Sequence, residues 1–324
     1  MLYYFLKRLI AMIPVLLGIT LISFFIINLA PGEPTDLQTE LNPRITPEIV
    51  EKLRKHYDLD KPVHLRYIKW LKNVATFDFG NSLTPDGRKV MDKIKERIPL
   101  TITINLISML IIIIVSIPLG VFISTHRGSI KERAITVISF FFYSIPAFWL
   151  AIIFIMIFGV YLGLLPVSGI KSLNYNNLTS TGKFLDLAKH LLLPILVASI
   201  GSIAAFSRYV SSNFDDVIKQ EYILLARAKG IPEKVVLRRH ALKNALIPVI
   251  TILGLSVPGL ISGSVIFESI FAIPGMGQLL YQSVMARDYP TIMGMLVITS
   301  FLTLLGNLLA DIGYAVADPR IKYR

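Results

Sequence analysis

Six apolar blocks dictate what this chain can become. They fall at about 9–29, 100–125, 134–160, 191–207, 245–267 and 291–316, separated by polar stretches. A helix rises about 1.5 Å per residue, so crossing roughly 30 Å of hydrocarbon takes about 20 mainly apolar residues. The fourth block, LLLPILVASIGSIAAF, is short and rich in small residues; the others reach the length. Backbone groups in lipid must be satisfied within the spanning segment, which leaves helices as the reading. Charge agrees, since only 17% of residues are charged, against about a quarter in a soluble domain. The pattern predicts an all-α polytopic membrane protein with six transmembrane helices.

The formal net charge of +12 sits beside the apolar blocks, which argues against nucleic acid as a partner. With the amino terminus inside, the inner segments hold 16 basic residues against six acidic ones, and the two short outer connections hold only Lys171, Lys183, Lys189 and Arg287. The positive-inside rule then places both termini in the cytoplasm. Residues 31–98 carry 13 basic residues, but loops of that length are largely exempt from the rule. The absence of cysteine excludes disulfides and thiolate metal sites. Lys7 and Arg8 precede an apolar run longer than the roughly 7–15-residue core of a secretion signal, so the first block reads as an uncleaved helix.

Three parts follow: a first transmembrane helix (1–30), an extracytoplasmic helical cap (31–98), and a five-helix core (99–324) with a cytoplasmic loop at 208–245. In the cap, TPEIVEKLRKHYDLD has Thr46 as N-cap and Pro47 at the first helical position. HLRYIKWLKNV is a second helical stretch, and RKVMDKIKERI a third that runs into the second block. Proline occurs in every block but the sixth, and membrane helices tolerate such kinks when neighbours re-satisfy the freed carbonyl.

The loop stretch EYILLARAKGIPEKVVLRRHALKNALIP, residues 221–248, is polar, basic and punctuated by alanine. A breaker-free run from Val217 to Lys229, with Asp215 and Asp216 before it, predicts a helix matched to its own dipole. Gly230 stands where a helix ends in left-handed backbone, and Pro232 and Glu233 suit the first turn of a second helix. Ala226 and Ala228 leave the first helix slim, so another surface can approach it. From pattern alone, anionic lipid headgroups are the favoured partner of this basic hairpin.

ARAKG at 226–230, followed by HALKNALIP at 240–248, resembles the cytoplasmic loop of binding-protein-dependent ABC importer permeases, closest to the dipeptide/oligopeptide/nickel family. The likeness covers essentially the whole chain: KRL and PGEP around the first helix, then FGNS, LPVSG, IPAFW, FAIPGMG, RDYP and the closing DPR stand in the family's order. The early first helix is similar to the B-type subunit. The resemblance implies a type I importer permease fold in a prokaryotic plasma membrane. It implies a second homologous permease subunit, two ATPase subunits that bind ATP and Mg, an extracytoplasmic substrate-binding protein, and a peptide substrate. It further implies that Glu221, Tyr222, Ala226, Arg227, Ala228, Lys229, Gly230, His240 and Asn244 form the ATPase-coupling surface. Leu224 and Leu225 depart from the Glu and Ala of the broader importer signature, which leaves Glu221 as the acid.

No nucleotide-binding GxxxxGK[ST], HExxH or catalytic constellation is present, so no cofactor is expected on this chain, and it reads as a transporter rather than an enzyme. His56, His64, His126 and His190 read as interfacial or loop residues. Asp311 lies in the sixth block, four residues after Asn307. A membrane carboxylate is a functional hypothesis by default; a structural pairing with water or Arg208 is favoured over a pathway role. Glu268, Pro274, Gly275 and Gly277 predict a tight structural turn. Nickel or small sugars are alternative cargoes, and a proton-coupled transporter using Asp311 is an alternative mechanism. The cap either meets the binding protein or serves as a stabilising lid.

Overall fold

The fold is seen in a computed structural model that describes residues 2–29, 51, 55 and 60–317; at 2–5, 258 and 310–317 the description is of the backbone. Among the described residues there is no strand, only an isolated bridge between Asn81 and Lys89. PGEP, most of the first cap helix, His56 and DPR lie outside the described residues. Two compact units emerge. One gathers residues up to Thr101, Ile261–Val265 and residues from Pro274 onward; the other holds Ile102–Leu260 and Ile266–Ile273.

In the first unit, α1 (Leu2–Leu29) packs along the closing helix α12 (Tyr289–Ala317), and α11 (Met276–Met285) packs on α12 as well. The second expected cap helix is α2 (Val63–Val74), which lies against α1. The third cap stretch is continuous with the second apolar block, as expected, in α3 (Val90–Thr125). A core of Phe79, Val90, Ile94, Met276, Leu279, Met295, Val297 and Ile298 joins these pieces, with Trp70 and Val74 packed on it.

Here the motifs FGNS and RDYP meet. Asp288 is fully buried, accepting from Ser82 Oγ at 2.5 Å, from the Leu83 amide at 2.9 Å and from Thr291 Oγ1 at 2.5 Å. Lys93 Nζ donates to Ser82 and Thr84 hydroxyls, both at 2.7 Å, and pairs with Asp86 at 2.9 Å. A buried carboxylate is costly unless hydrogen-bonded, and this one has donors from two chain segments. Phe79 and Val90 come so near Gly294 that an added Cβ would stand 2.7 Å from Val90 Cγ1.

The second unit contains the rest of α3, then α4 (Ile130–Ser144), α5 (Ala147–Phe154, continued by a π-helical turn to Tyr161) and α6 (Ser180–Ile218). Ser129 caps α4, its side chain accepting from the Glu132 amide at 3.1 Å. Both α4 and α5 pack on α6. The LPVSG loop is tied to FAIPGMG by the Gly169 amide, which donates to the Phe271 carbonyl at 2.8 Å. In the same turn the Ile273 amide donates to the Glu268 carbonyl at 2.8 Å, and Glu268 is buried.

Among the described residues, four helices are long and apolar enough to cross a membrane: Leu6–Leu29, Val90–Thr125, Ser180–Ile218 and Tyr289–Leu309. The other two blocks are not single helices. The third bends by 99° between α4 and α5, where Pro146 follows an extended Ile145. Proline disfavours helical backbone in the residue before it, which fixes the break there. The fifth splits into α9 (Ile247–Ser256), a 3₁₀ turn (Val257–Leu260) and α10 (Val265–Ile270). Pro258-Gly259 and Ser262-Gly263-Ser264 interrupt it. The Leu260 carbonyl this exposes accepts from Asn105 Nδ2 at 2.9 Å, the kind of local repair that lets irregular backbone persist in a bundle. The fourth block, short by composition, is the middle of a 39-residue helix. That is why His190 is no loop residue: it is buried in α6, Nδ1 at 2.8 Å from the Asp186 carbonyl.

Candidate functional site

The polar loop after α6 folds as two helices joined by a sharp turn: α7 (Glu221–Ala228), then residues 233–245, here α8. Gln220 is extended, so α7 begins at Glu221 and not at Val217. Asp215 and Asp216 therefore occupy the last turn of α6, and the acid that complements the α7 dipole is Glu221, with Arg227 in the last turn. Gly230 has φ of +72°, as its place after the helix predicted, and its amide donates to the Arg227 carbonyl at 2.9 Å.

The inner faces of both helices share a core: Phe214, Ile223, Ala226, Val236, Ala241 and Ala245, with Val121 of α3 packed against it. Val236 and Ala241 are five residues apart, a spacing that an α-helix would turn to different faces. The π-helical stretch Val236–Ala241 brings both inward. Ala226 thus admits its own chain, not an outside surface, which corrects the expectation from the sequence. Ala228 remains exposed with Glu221, Tyr222, Leu224, Leu225 and Lys229.

Two polar ties brace the pair. Arg227 meets Glu233 with both ends of its guanidinium, Nε to Oε2 at 3.1 Å and Nη2 to Oε1 at 2.7 Å, across the Gly230 turn. The hydrogen bond to Glu233 raises the Arg227 pKa, and the same bond holds the Glu233 carboxyl below its ordinary range. At the other end Asn244 Nδ2 donates to Tyr222 Oη at 3.1 Å and to the His240 carbonyl at 3.0 Å. Of the nine residues expected at the site, Arg227, Tyr222 and Asn244 thereby act within the chain as internal struts.

One residue beneath this module has a different role from the one its sequence position predicts. Asp215 is buried, accepting from Ser124 Oγ of α3 and from the Arg127 guanidinium in the turn that follows. A carboxylate in the last turn of α6 opposes that helix's dipole, and the arginine offsets it. Asp215 and Arg127 line a cavity of about 330 Å³ with Glu132, Arg208, Ser211 and Ser212. Arg208 rests over the Phe140 ring, 4.8 Å from its centroid. The helical period does place Ser124 and Arg127 near one face, but nothing in one sequence pairs them with Asp215. Asn307 lies in α12; the side chain of Asp311 lies outside the described residues. Among the described residues, no three metal-ligating side chains cluster.

Several long apolar helices, with a braced polar helix pair in the connection after α6, mark a multi-pass membrane protein. Residues 116–323 match the family described as binding-protein-dependent transport system inner membrane component, and residues 1–105 match that family's N-terminal region. The chain belongs to this family, the membrane permeases of ABC importers, and its location is the bacterial inner membrane. It is 42% identical over 320 residues to the oligopeptide transport system permease protein AppB of Bacillus subtilis (strain 168), covering 99% of each chain. It is 34% identical over 337 residues to the di/tripeptide transport system permease protein DppB of Pseudomonas aeruginosa (strain UCBPP-PA14), covering 100% of each. Among solved structures, a chain of the inward-facing MetNI methionine ABC transporter matches in fold with a TM-score of 0.53 at 18% identity, covering 70% of this chain and 97% of that one.

Proposed function

We propose that this chain is the permease subunit of an ATP-driven importer of di- or oligopeptides, working by alternating access. It pairs with a second homologous permease and two ATPase subunits, which bind ATP and Mg, and receives peptide from an extracytoplasmic binding protein. Both termini and the α7–α8 module face the cytoplasm. The relatives' names support the peptide cargo, and the family supports the binding protein and the ATPase as partners.

The braced module carries the mechanism. Its inner face is filled by its own chain, its turn is locked by Arg227–Glu233, and its outer face is left to a partner. That face holds Glu221 beside Leu224 and Leu225, 56% and 57% exposed. It suits a cleft with an apolar floor and a basic rim on an ATPase subunit. Because α8 leads into α9 with only Leu246 between them, a push on α7 is passed directly to α9.

The complex, purified with its ATPase subunits and reconstituted in vesicles, is expected to take up peptide only with ATP and loaded binding protein. Uptake driven by a proton gradient without ATP, lost in Asp311→Asn, would replace this reading with the proton-coupled one. Leu224→Ser with Leu225→Ser is expected to leave the permease folded and to weaken its co-purification with the ATPase.

A further inference from the structure

We propose that α2 is an in-membrane helix: it lies within the leaflet at the C-terminal end of α1, its Leu65 and Ile68 face in lipid, rather than standing above the membrane as part of a cap. The argument begins with where α2 touches α1. Tyr67 Oη is 3.0 Å from Thr20 Oγ1, and the Phe24 ring lies 5.3 Å from the Tyr67 ring and 5.7 Å from the Trp70 ring. Thr20 and Phe24 precede Leu29 by nine and five residues, so they lie about 14 and 8 Å below the end of α1.

The apolar span Leu6–Leu29 has 24 residues. At about 36 Å it exceeds the roughly 30 Å hydrocarbon layer by about 6 Å, so about 3 Å projects at each end when it is centred. The contacts with α2 then fall about 5–11 Å inside the hydrocarbon. A helix resting on the headgroups does not reach that level.

The composition of α2 fits this depth. Tyr67, Trp70, Leu71 and Val74 turn toward the protein, while Leu65 and Ile68 are 50% and 62% exposed one turn apart. On α1, which α2 packs against, Leu21, Ile22, Phe25 and Ile26 are exposed as well. The basic residues His64, Arg66, Lys69 and Lys72 surround the pair, and long arginine and lysine stems let the charge rise to anionic headgroups. Thr20 is 3% exposed and shares its hydroxyl with Tyr67, so neither needs water there. Lipid is thus the occupant that matches depth, apolarity and charge together; a binding protein, which works from the aqueous side, does not reach this level.

The chain has no cysteine, so with partner subunits made cysteine-free a single Ile68→Cys carries the only nitroxide. The complete complex is placed in vesicles of phosphatidylethanolamine and phosphatidylglycerol. Relaxation by dissolved oxygen and by a water-soluble nickel chelate is compared with a Leu173→Cys label on an exposed loop. The expected oxygen-to-nickel ratio at residue 68 is several-fold above that at 173. An equal ratio would put α2 in water and overturn the proposal. Protection from both reagents would overturn it in favour of a protein interface, as would protection appearing only when binding protein is added. A second reporter guards against a misfolded variant: with Trp149→Phe, Trp70 is the only tryptophan of this chain, and lipids brominated high on the acyl chain are expected to quench its emission, read as the difference from a Trp70→Phe, Trp149→Phe complex. ATP-driven uptake by the same vesicles is measured in parallel, so the transport reading stands or falls separately.

Discussion

Removing Arg127 is expected to hurt more than neutralising the aspartate it serves. In Arg127→Ala, the Asp215 carboxyl group, its side chain 5% exposed, is left with only the Ser124 hydroxyl to hold it. Breaking a buried pair from one side costs on the order of 3–5 kcal/mol. The arginine itself is 64% exposed, so water can follow it in, and about 2 kcal/mol is the expected loss. In Asp215→Asn the amide oxygen still accepts from Ser124 and the freed arginine moves into solvent, for a loss of about 1 kcal/mol or less. The double variant should then sit close to Asp215→Asn alone, because a neutral amide does not need the arginine. The two changes are therefore non-additive by about 2 kcal/mol, within the range for groups in direct contact. The assay is thermal unfolding of the purified complex, with Ser124→Ala as a third corner. For a unit of this size, about 2 kcal/mol corresponds to a melting shift of roughly 4–8 °C. An Arg127→Ala protein that melts with the wild type, or a double variant that melts at the sum of the two losses, would refute the buried-charge account.

Gly230→Val is expected to cost about 1–2 kcal/mol, since φ of +72° strains a β-branched residue even though no atom lies within 4 Å of its Cβ position. Vesicle insertion should be normal, with peptide-stimulated ATP hydrolysis falling relative to the basal rate. Asp288→Ala removes the buried acceptor that the Ser82, Leu83 and Thr291 donors share and should lower the melting temperature or prevent assembly, which size-exclusion profiles will show. The Arg227–Glu233 brace holds the Glu233 pKa below its ordinary value of 4.5, so its contribution is complete at neutral pH and fades as pH falls through that lowered value. Protease cleavage within 227–233 should accelerate on acidification in the wild type and be pH-independent in Glu233→Gln, measured with an acid-active protease.

Much of the fold can be read along the chain because a membrane helix declares itself locally. Block length and proline position carry the long helices, and the left-handed Gly230 follows from its place after a dipole-matched run. The readings that failed did so where one segment is completed by another. The fifth block looks continuous by hydropathy, yet a carbonyl freed near Pro258 is taken up by Asn105, more than 150 positions earlier. Ala226 looks like a gap left for a partner until Val236 and Ala241 are turned onto it by a π-helical stretch. Asp215 resembles a capping acid by sequence because its partner, Arg127, belongs to a different turn. Side-chain pairing across a bundle leaves no periodic trace in either segment alone.

The joined motifs bear on how such permeases can be recombined. Ser82 and Asp288 stand 206 positions apart and Gly169 and Phe271 102 apart, yet each pair closes a single junction. Neither member is a self-contained part. A chimera that exchanges the segment around FGNS without the segment around RDYP separates two halves of one joint. Segments of these chains are therefore exchangeable only in couples, and the natural units of inheritance are not contiguous stretches of sequence.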